Sequence, residues 1–227
     1  MSTLSIPALP PSQALRDQVY ATLERLIING DLAPEQRLAE AELAERLGVS
    51  RNPVREALTV LAHAGWVDIR PRIGAEVHAP TRKEMEDFLA VRTVIKQEAA
   101  RMAAGHSTPG GIAELRDLVL RGQTAAARGD VQTASELNSV FHTRVDANTD
   151  NLVLQEVLSS MKKRLTWYFA PVARSRGVAT WQELAVLVDA LERRDVDAAA
   201  IAMRDHCEAT AKVCRELIRE RHGVEGA

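Results

Sequence analysis

LAEAELAERLGVSRNPVREALTVLAHAGWV, residues 38–67, decides the fold of this chain. From about Glu40 to Leu47, the residues Leu43, Ala44 and Leu47 share one face at helical spacing. Gly48 follows, and glycine is the residue that best takes the left-handed backbone ending a helix. Ser50 offers an N-cap to a second helix, and Pro53 sits in its first turn, where a missing N–H does no harm. Val54, Ala57, Leu58 and Leu61 give that helix a buried stripe to about Ala64. Two short helices across the turn Gly48-Val49-Ser50 predict a helix-turn-helix.

Downstream, WVDIR (66–70) reads as a short strand, Pro71-Arg72-Ile73-Gly74 as a turn and AEVHA (75–79) as the returning strand. Upstream, Ser12 can cap a helix to about Asn29, with Leu15, Val19, Leu23 and Leu26 on one face and Gly30 at its end. Three helices and then a hairpin is the order of a winged helix. Asn52, Arg55 and Thr59 lie opposite the buried stripe of the third helix, and Arg51 stands at the N-terminal edge that enters a major groove. An arginine fork can bind guanine O6 and N7, worth about 1–3 kcal/mol of discrimination. Arg72 in the hairpin turn completes the candidate DNA contacts. A merely solvated arginine face is the competing reading, but the turn, the helix order and the wing all favour DNA.

After Pro80 no strand signal recurs. Thr81 and Glu84 form a capping box for a long helix to about Gly105, and HSTPGG (106–111) breaks it. Further helices are expected at about 112–128, 130–148, 151–172, 181–194 and 195–222, separated by Gly129-Asp130, Asp150-Asn151, the RSRG stretch and Asp195. The expected fold is therefore mainly α. A winged helix-turn-helix spans 1–79, with 1–12 a disordered leader, and a six-helix antiparallel bundle for effector binding and dimerisation spans 80–227.

Composition sets the bounds. Of 227 residues, 46% are hydrophobic, enough for a core in each of two domains. No apolar run reaches the roughly 18 residues of a membrane span, and the first residues lack a signal peptide's basic segment and apolar core. A cytoplasmic protein is expected. Net charge is −2, and residues 1–80 carry eight Lys/Arg against ten Asp/Glu. The basic character is local: five arginines between Arg46 and Arg72 face only Glu56 and Asp68. Cys207 and Cys214, seven apart on one helix, stand about 10 Å apart, too far for a disulfide.

On these residues the chain resembles the GntR family of regulators. Glu42-Leu43-Ala44, Leu47-Gly48-Val49-Ser50-Arg51, Pro53 to Leu58 and Gly65-Trp66-Val67 stand where that family's motif expects them. The resemblance implies DNA contacts from Arg51 and Arg55, with Gly74 at a wing tip near the minor groove. Ala41 departs from the pattern: many members carry an arginine there, so the operator can differ. The bundle resembles the effector (FCD) domain of the FadR/VanR-type branch through Arg92, Ile95, Ala99-Ala100, Ala103-Ala104, Phe141-His142, Asn151 and Met203 to His206.

The same residues stand out without a family. Arg92, with Lys96 beside it, projects among Met85, Phe88, Leu89, Ile95, Ala99 and Ala103. Asn138 is centred among Val131, Ala134, Phe141 and Val145, His142 lies one turn on at the flank of that stripe, and His206 lies among Met203, Thr210, Val213 and Leu217. Polar groups facing an interior need partners, water or ligand. Singly, each reads as a bonded core residue; together, on three helices, they point to an effector pocket. Many relatives hold a divalent metal here with an aspartate and three histidines. This chain keeps His142 and His206, has Asn138 for the aspartate and Leu184 for the remaining histidine, and offers Asp146 only off the stripe. Zinc wants four good ligands, so zinc or nickel is disfavoured, no cofactor is expected, and the site reads as degenerate.

The expected function is a ligand-controlled transcription regulator: a repressor, homodimeric on an inverted repeat, answering a small carboxylate. Two alternatives are a DNA-binding dimer with a purely structural bundle and a metal-dependent helical-bundle enzyme. Against an enzyme stand the lack of paired Glu-x-x-His motifs, of a nucleophile motif and of a phosphate loop.

Overall fold

A computed structural model of the chain describes residues 12–169 and 176–222. Residues 1–11 of the expected leader, the expected helix end near 172 and part of the RSRG stretch lie outside the described residues. The chain divides into two units, 1–80 and 81–227.

In the first unit the order is α1 (Ser12–Asn29), β1 (Arg37–Leu38), α2 (Glu40–Leu47), α3 (Arg51–His63), β2 (Val67–Arg70) and β3 (Gly74–Val77). Gly48 takes φ 67°, and its N–H donates to the carbonyls of Ala44 and Glu45, so α2 ends as the sequence predicts. Ser50 holds the extended cap conformation without a side-chain bond, so its hydroxyl does not cap α3. Val54, Ala57, Leu58 and Leu61 are all buried, the valine and the two leucines each contributing about 1.5–3 kcal/mol. On α1 the stripe is Val19, Leu23 and Ile27. Leu26, expected inward, is half-buried, and Leu15 is exposed. Spacing of i, i+4, i+8 replaces the expected i, i+3 step.

The sheet order is β1-β3-β2, antiparallel throughout. Arg37 pairs with Glu76 and Leu38 with Ala75, so β1 closes the edge of the hairpin. Two residues are too few to show a period, and the sequence gives no sign of that strand.

The second unit is helical: α4 (Arg82–His106), α5 (Pro109–Ala127), α6 (Val131–Ala147), α7 (Leu152–Phe169), α8 (Gly177–Glu192) and α9 (Val196–His222). Among the described residues, then, six helices form the bundle. The Thr81 hydroxyl accepts from the Glu84 N–H, and the Glu84 carboxylate accepts from the Thr81 N–H at 2.7 Å, completing the capping box. Ala99, Ala100, Ala103 and Ala104 on α4, and Ala199, Ala200, Met203 and Cys207 on α9, are buried. The small alanines among them let α4 and α9 pack closely. Phe141, Trp181, Leu187 and Leu191 fill the same core. Both cysteines are free and buried. No described helix is long and apolar enough to cross a membrane.

Candidate DNA-reading surface and ligand pocket

The buried stripe of α3 leaves Arg51, Asn52, Arg55, Glu56 and Thr59 exposed on its other side. Three of these differ in how free they are. Arg55 is tied to Glu40 on α2, its Nη2 2.7 Å and its Nε 3.0 Å from the carboxylate. That bond, more than burial, holds the Glu40 carboxyl below its usual range. The Thr59 hydroxyl donates to the Arg55 carbonyl at 2.9 Å. Arg51 has no ion pair among the described residues, so it is the cation immediately available at the helix edge.

At the wing, Arg72 is exposed with φ 67°, and Gly74 has φ 106°. The Ile73 N–H donates to the Arg70 carbonyl at 3.2 Å, so Pro71 and Arg72 are the middle pair of a turn whose second member needs a positive φ. Arg37 donates to the Ile73 carbonyl at 2.7 Å and steadies the tip from β1. The Arg70–Glu76 ion pair at 2.6 Å braces the strands.

In the bundle a cavity of about 380 Å³ is lined by Arg92, Lys96, Asn138, His142 and His206 together. All five effector-site candidates therefore converge, from three helices. Arg92 is only 5% exposed and has no carboxylate within ion-pair reach among the described residues. Lys96 differs: its ammonium donates to both oxygens of Asp146 at 2.7 Å. Burial lowers the Lys96 pKa while Asp146 opposes the shift. Asp146, expected to sit off the stripe, is thus inside and already committed.

Sequence reasoning missed the other half of the pocket. The His206 Nδ1 lies 2.9 Å from the Glu183 carboxylate. The Nη2 of Arg176 reaches both Glu183 oxygens at 2.5 and 2.6 Å, and its Nη1 donates to the Thr210 hydroxyl at 2.6 Å. Burial pushes the Glu183 carboxyl up, but the bonds from His206 and Arg176 outweigh it and hold it low. Burial drives His142 well below the usual histidine range, reinforced by Lys96 and His206. His206 is lowered by burial against the pull of Glu183. The two rings lie 5.1 Å apart, centroid to centroid. Asn138 Oδ1 and His142 Nδ1 are buried without a hydrogen-bond partner. An exposed Lys162 at the pocket donates to the Thr143 hydroxyl at 3.0 Å.

These residues do not fit a divalent metal. Leu184, aligned with a missing histidine, is fully buried in the apolar core and does not line the cavity. Asp146 is bonded to Lys96, and Glu183 to Arg176. Among the described residues at the pocket, neither carboxylate is free to offset a dication beside Arg92 and Lys96. Among the described residues no three of His, Cys, Asp or Glu are grouped to hold one.

Comparison with known proteins agrees with both halves. Residues 15–77 match the bacterial regulatory proteins of the gntR family, and residues 87–209 match the FCD domain. The chain is 28% identical to the HTH-type transcriptional repressor RspR of Escherichia coli over 93% of its length and 94% of the relative's. It is 30% identical, over 86% of its length and 82% of the relative's, to an HTH-type transcriptional regulator in an unstable DNA locus of Streptomyces ambofaciens. Among solved structures, E. coli McbR/YncC superposes with a TM-score of 0.72 at 22% identity, covering 89% of this chain and 98% of that one. All of these relatives are transcription regulators, not enzymes.

Proposed function

The chain belongs to the GntR family of bacterial regulatory proteins, its DNA-binding head followed by an FCD domain, and on that premise we propose that it is a cytoplasmic repressor released from its operator by a small carboxylate. Arg92 carries this reading: a buried guanidinium, beside a cavity, with no carboxylate of its own. Leaving such a charge unpaired is unfavourable, and a ligand carboxylate would pair with it through two parallel N–H···O bonds. A ligand that prefers one conformation of the bundle shifts the protein toward it, and the head would respond through dimer geometry. The name of the E. coli relative, a repressor, supports the sign of regulation.

One winged helix covers one half-site, so the operator is an inverted repeat read by a homodimer. Arg51, Asn52, Arg55 and Thr59 face the major groove, with Arg72 and Gly74 at the minor groove. The test is release of the full-length protein from a genomic operator fragment by a panel of carboxylates. Arg92→Ala should abolish release and leave operator affinity intact. A wild-type response in that variant, or one protomer per operator, would overturn the proposal.

A further inference from the structure

The hydrogen-bond polarity of the pocket narrows the ligand further, on the reading that the pocket is the effector site. His206 Nδ1 faces a carboxylate, which can only accept. The ring proton therefore sits on Nδ1, and a neutral imidazole then leaves Nε2 as a lone pair. Nε2 has no hydrogen bond among the described residues, and His206 lines the cavity. Arg176, clamped to the other side of Glu183 and to Thr210, keeps that carboxylate in place. Asn138 adds a buried acceptor oxygen with no donor, and His142 an unpartnered Nδ1. A buried acceptor left without a partner costs about 1–3 kcal/mol.

Beside the free cation Arg92, then, the pocket presents lone pairs. A simple carboxylate would satisfy Arg92 and leave the acceptors unmet. An ammonium donor is disfavoured, because among the described residues the lining holds Arg92, Lys96, Lys162 and Arg176 against Asp146, and Glu183 behind it is already bonded to Arg176 and His206. Hydroxyl groups donate without adding charge. We infer that the pocket reads a hydroxylated carboxylate directly, with no metal between them: Arg92 takes the carboxylate and His206 Nε2 accepts a hydroxyl proton. Glu183 is the positioning residue that sets this preference, because it fixes which nitrogen of His206 carries the proton.

The experiment uses full-length protein treated with EDTA and matched pairs of acids that differ only in hydroxyls: D-gluconate against hexanoate, and lactate against propionate. Affinity is read by calorimetry and by release from operator DNA. At least one hydroxylated acid should bind about tenfold or more tighter than its partner, the effect of one buried hydrogen bond. Glu183→Gln should shrink that ratio toward one while the plain acids keep their affinity. Equal binding within both pairs in the wild type would overturn the inference and leave the carboxylate reading standing. So would binding that appears only when zinc or nickel is restored to the EDTA-treated protein. Should no acid of either pair bind, both readings fall.

Discussion

The ammonium of Lys96 is bonded to both oxygens of Asp146 at 2.7 Å, with the two side chains only 7% and 15% exposed. The pair joins α4 to α6 beside the cavity. It removes Lys96 from the set of free cations and concentrates anion recognition on Arg92, one helical turn earlier.

Breaking that pair from one side strands a charge. Lys96→Met should lower stability by about 3–5 kcal/mol, because Asp146 is left buried and unpaired. Lys96→Met with Asp146→Leu should recover most of the loss and still respond to carboxylate. Urea unfolding and operator release measure the two effects. A double mutant that folds but no longer responds would place Lys96 among the ligand contacts.

On the reading helix, freedom decides rank. Arg51→Ala should weaken operator binding by about 1–3 kcal/mol and barely change affinity for scrambled DNA. Arg55→Ala should do less, since Arg55 must leave Glu40 to reach a base. Glu40→Ala frees it, so affinity for scrambled DNA should rise and the slope of log K against log salt should steepen by about one. Anisotropy titrations at two salt concentrations test this. Unchanged binding in both arginine variants would remove α3 as the reading helix.

The wing offers a substitution with opposite effects on stability and binding. Arg72 sits in left-handed backbone at φ 67°, a position that costs a non-glycine residue about 1–2 kcal/mol. Arg72→Gly should therefore raise the melting temperature of the protein while weakening operator and scrambled DNA alike. Gly74→Val should destabilise instead. No atom crowds its missing Cβ, so the penalty comes from φ 106° alone. If Arg72→Gly leaves DNA affinity untouched, the wing arginine does not reach the duplex.

Cys214 is buried, and burial pushes its thiol up to about 12. The thiolate is the reactive form, so at pH 8 iodoacetamide should label it roughly a thousandfold more slowly than an ordinary thiol. Labelling should track opening of the bundle and slow further with a bound effector. Labelling at the rate of a free thiol in folded protein would show that α9 does not bury it.

How much of this was legible in the sequence varies by element. The stripe of α3 is visible because the helix buries one face and leaves the other to solvent, and all four residues fall inside. Arg92 and His206 are visible because each interrupts an apolar stripe. The pairings are not. Asp146 and Glu183 meet partners 50 and 23 residues away, and spacing along a helix carries no information about a side chain on another. Leu184 shows the same limit from the other side. Aligned as a missing ligand, it belongs to the apolar core, while its neighbour Glu183 touches the histidine.

Gly122 is the strongest case of information that only packing holds. In the interior of α5 a glycine reads as a weakness, and by propensity alone Gly122→Ala should stabilise by about 1 kcal/mol. A Cβ there would lie 2.2 Å from Cε2 and Cζ2 of Trp181, and that ring is only 1% exposed in the core. The indole cannot step aside without displacing α8 or entering the cavity it helps to line. Overpacking of this kind costs about 1–3 kcal/mol or more, so the sign reverses. Gly122→Ala should lower the melting temperature and weaken any ligand of the pocket. Gly105→Ala, at a helical position with no atom near the added methyl, should raise the melting temperature and leave binding alone. A gain in stability from both substitutions would show that Trp181 is not held against α5, and would remove it as a wall of the pocket.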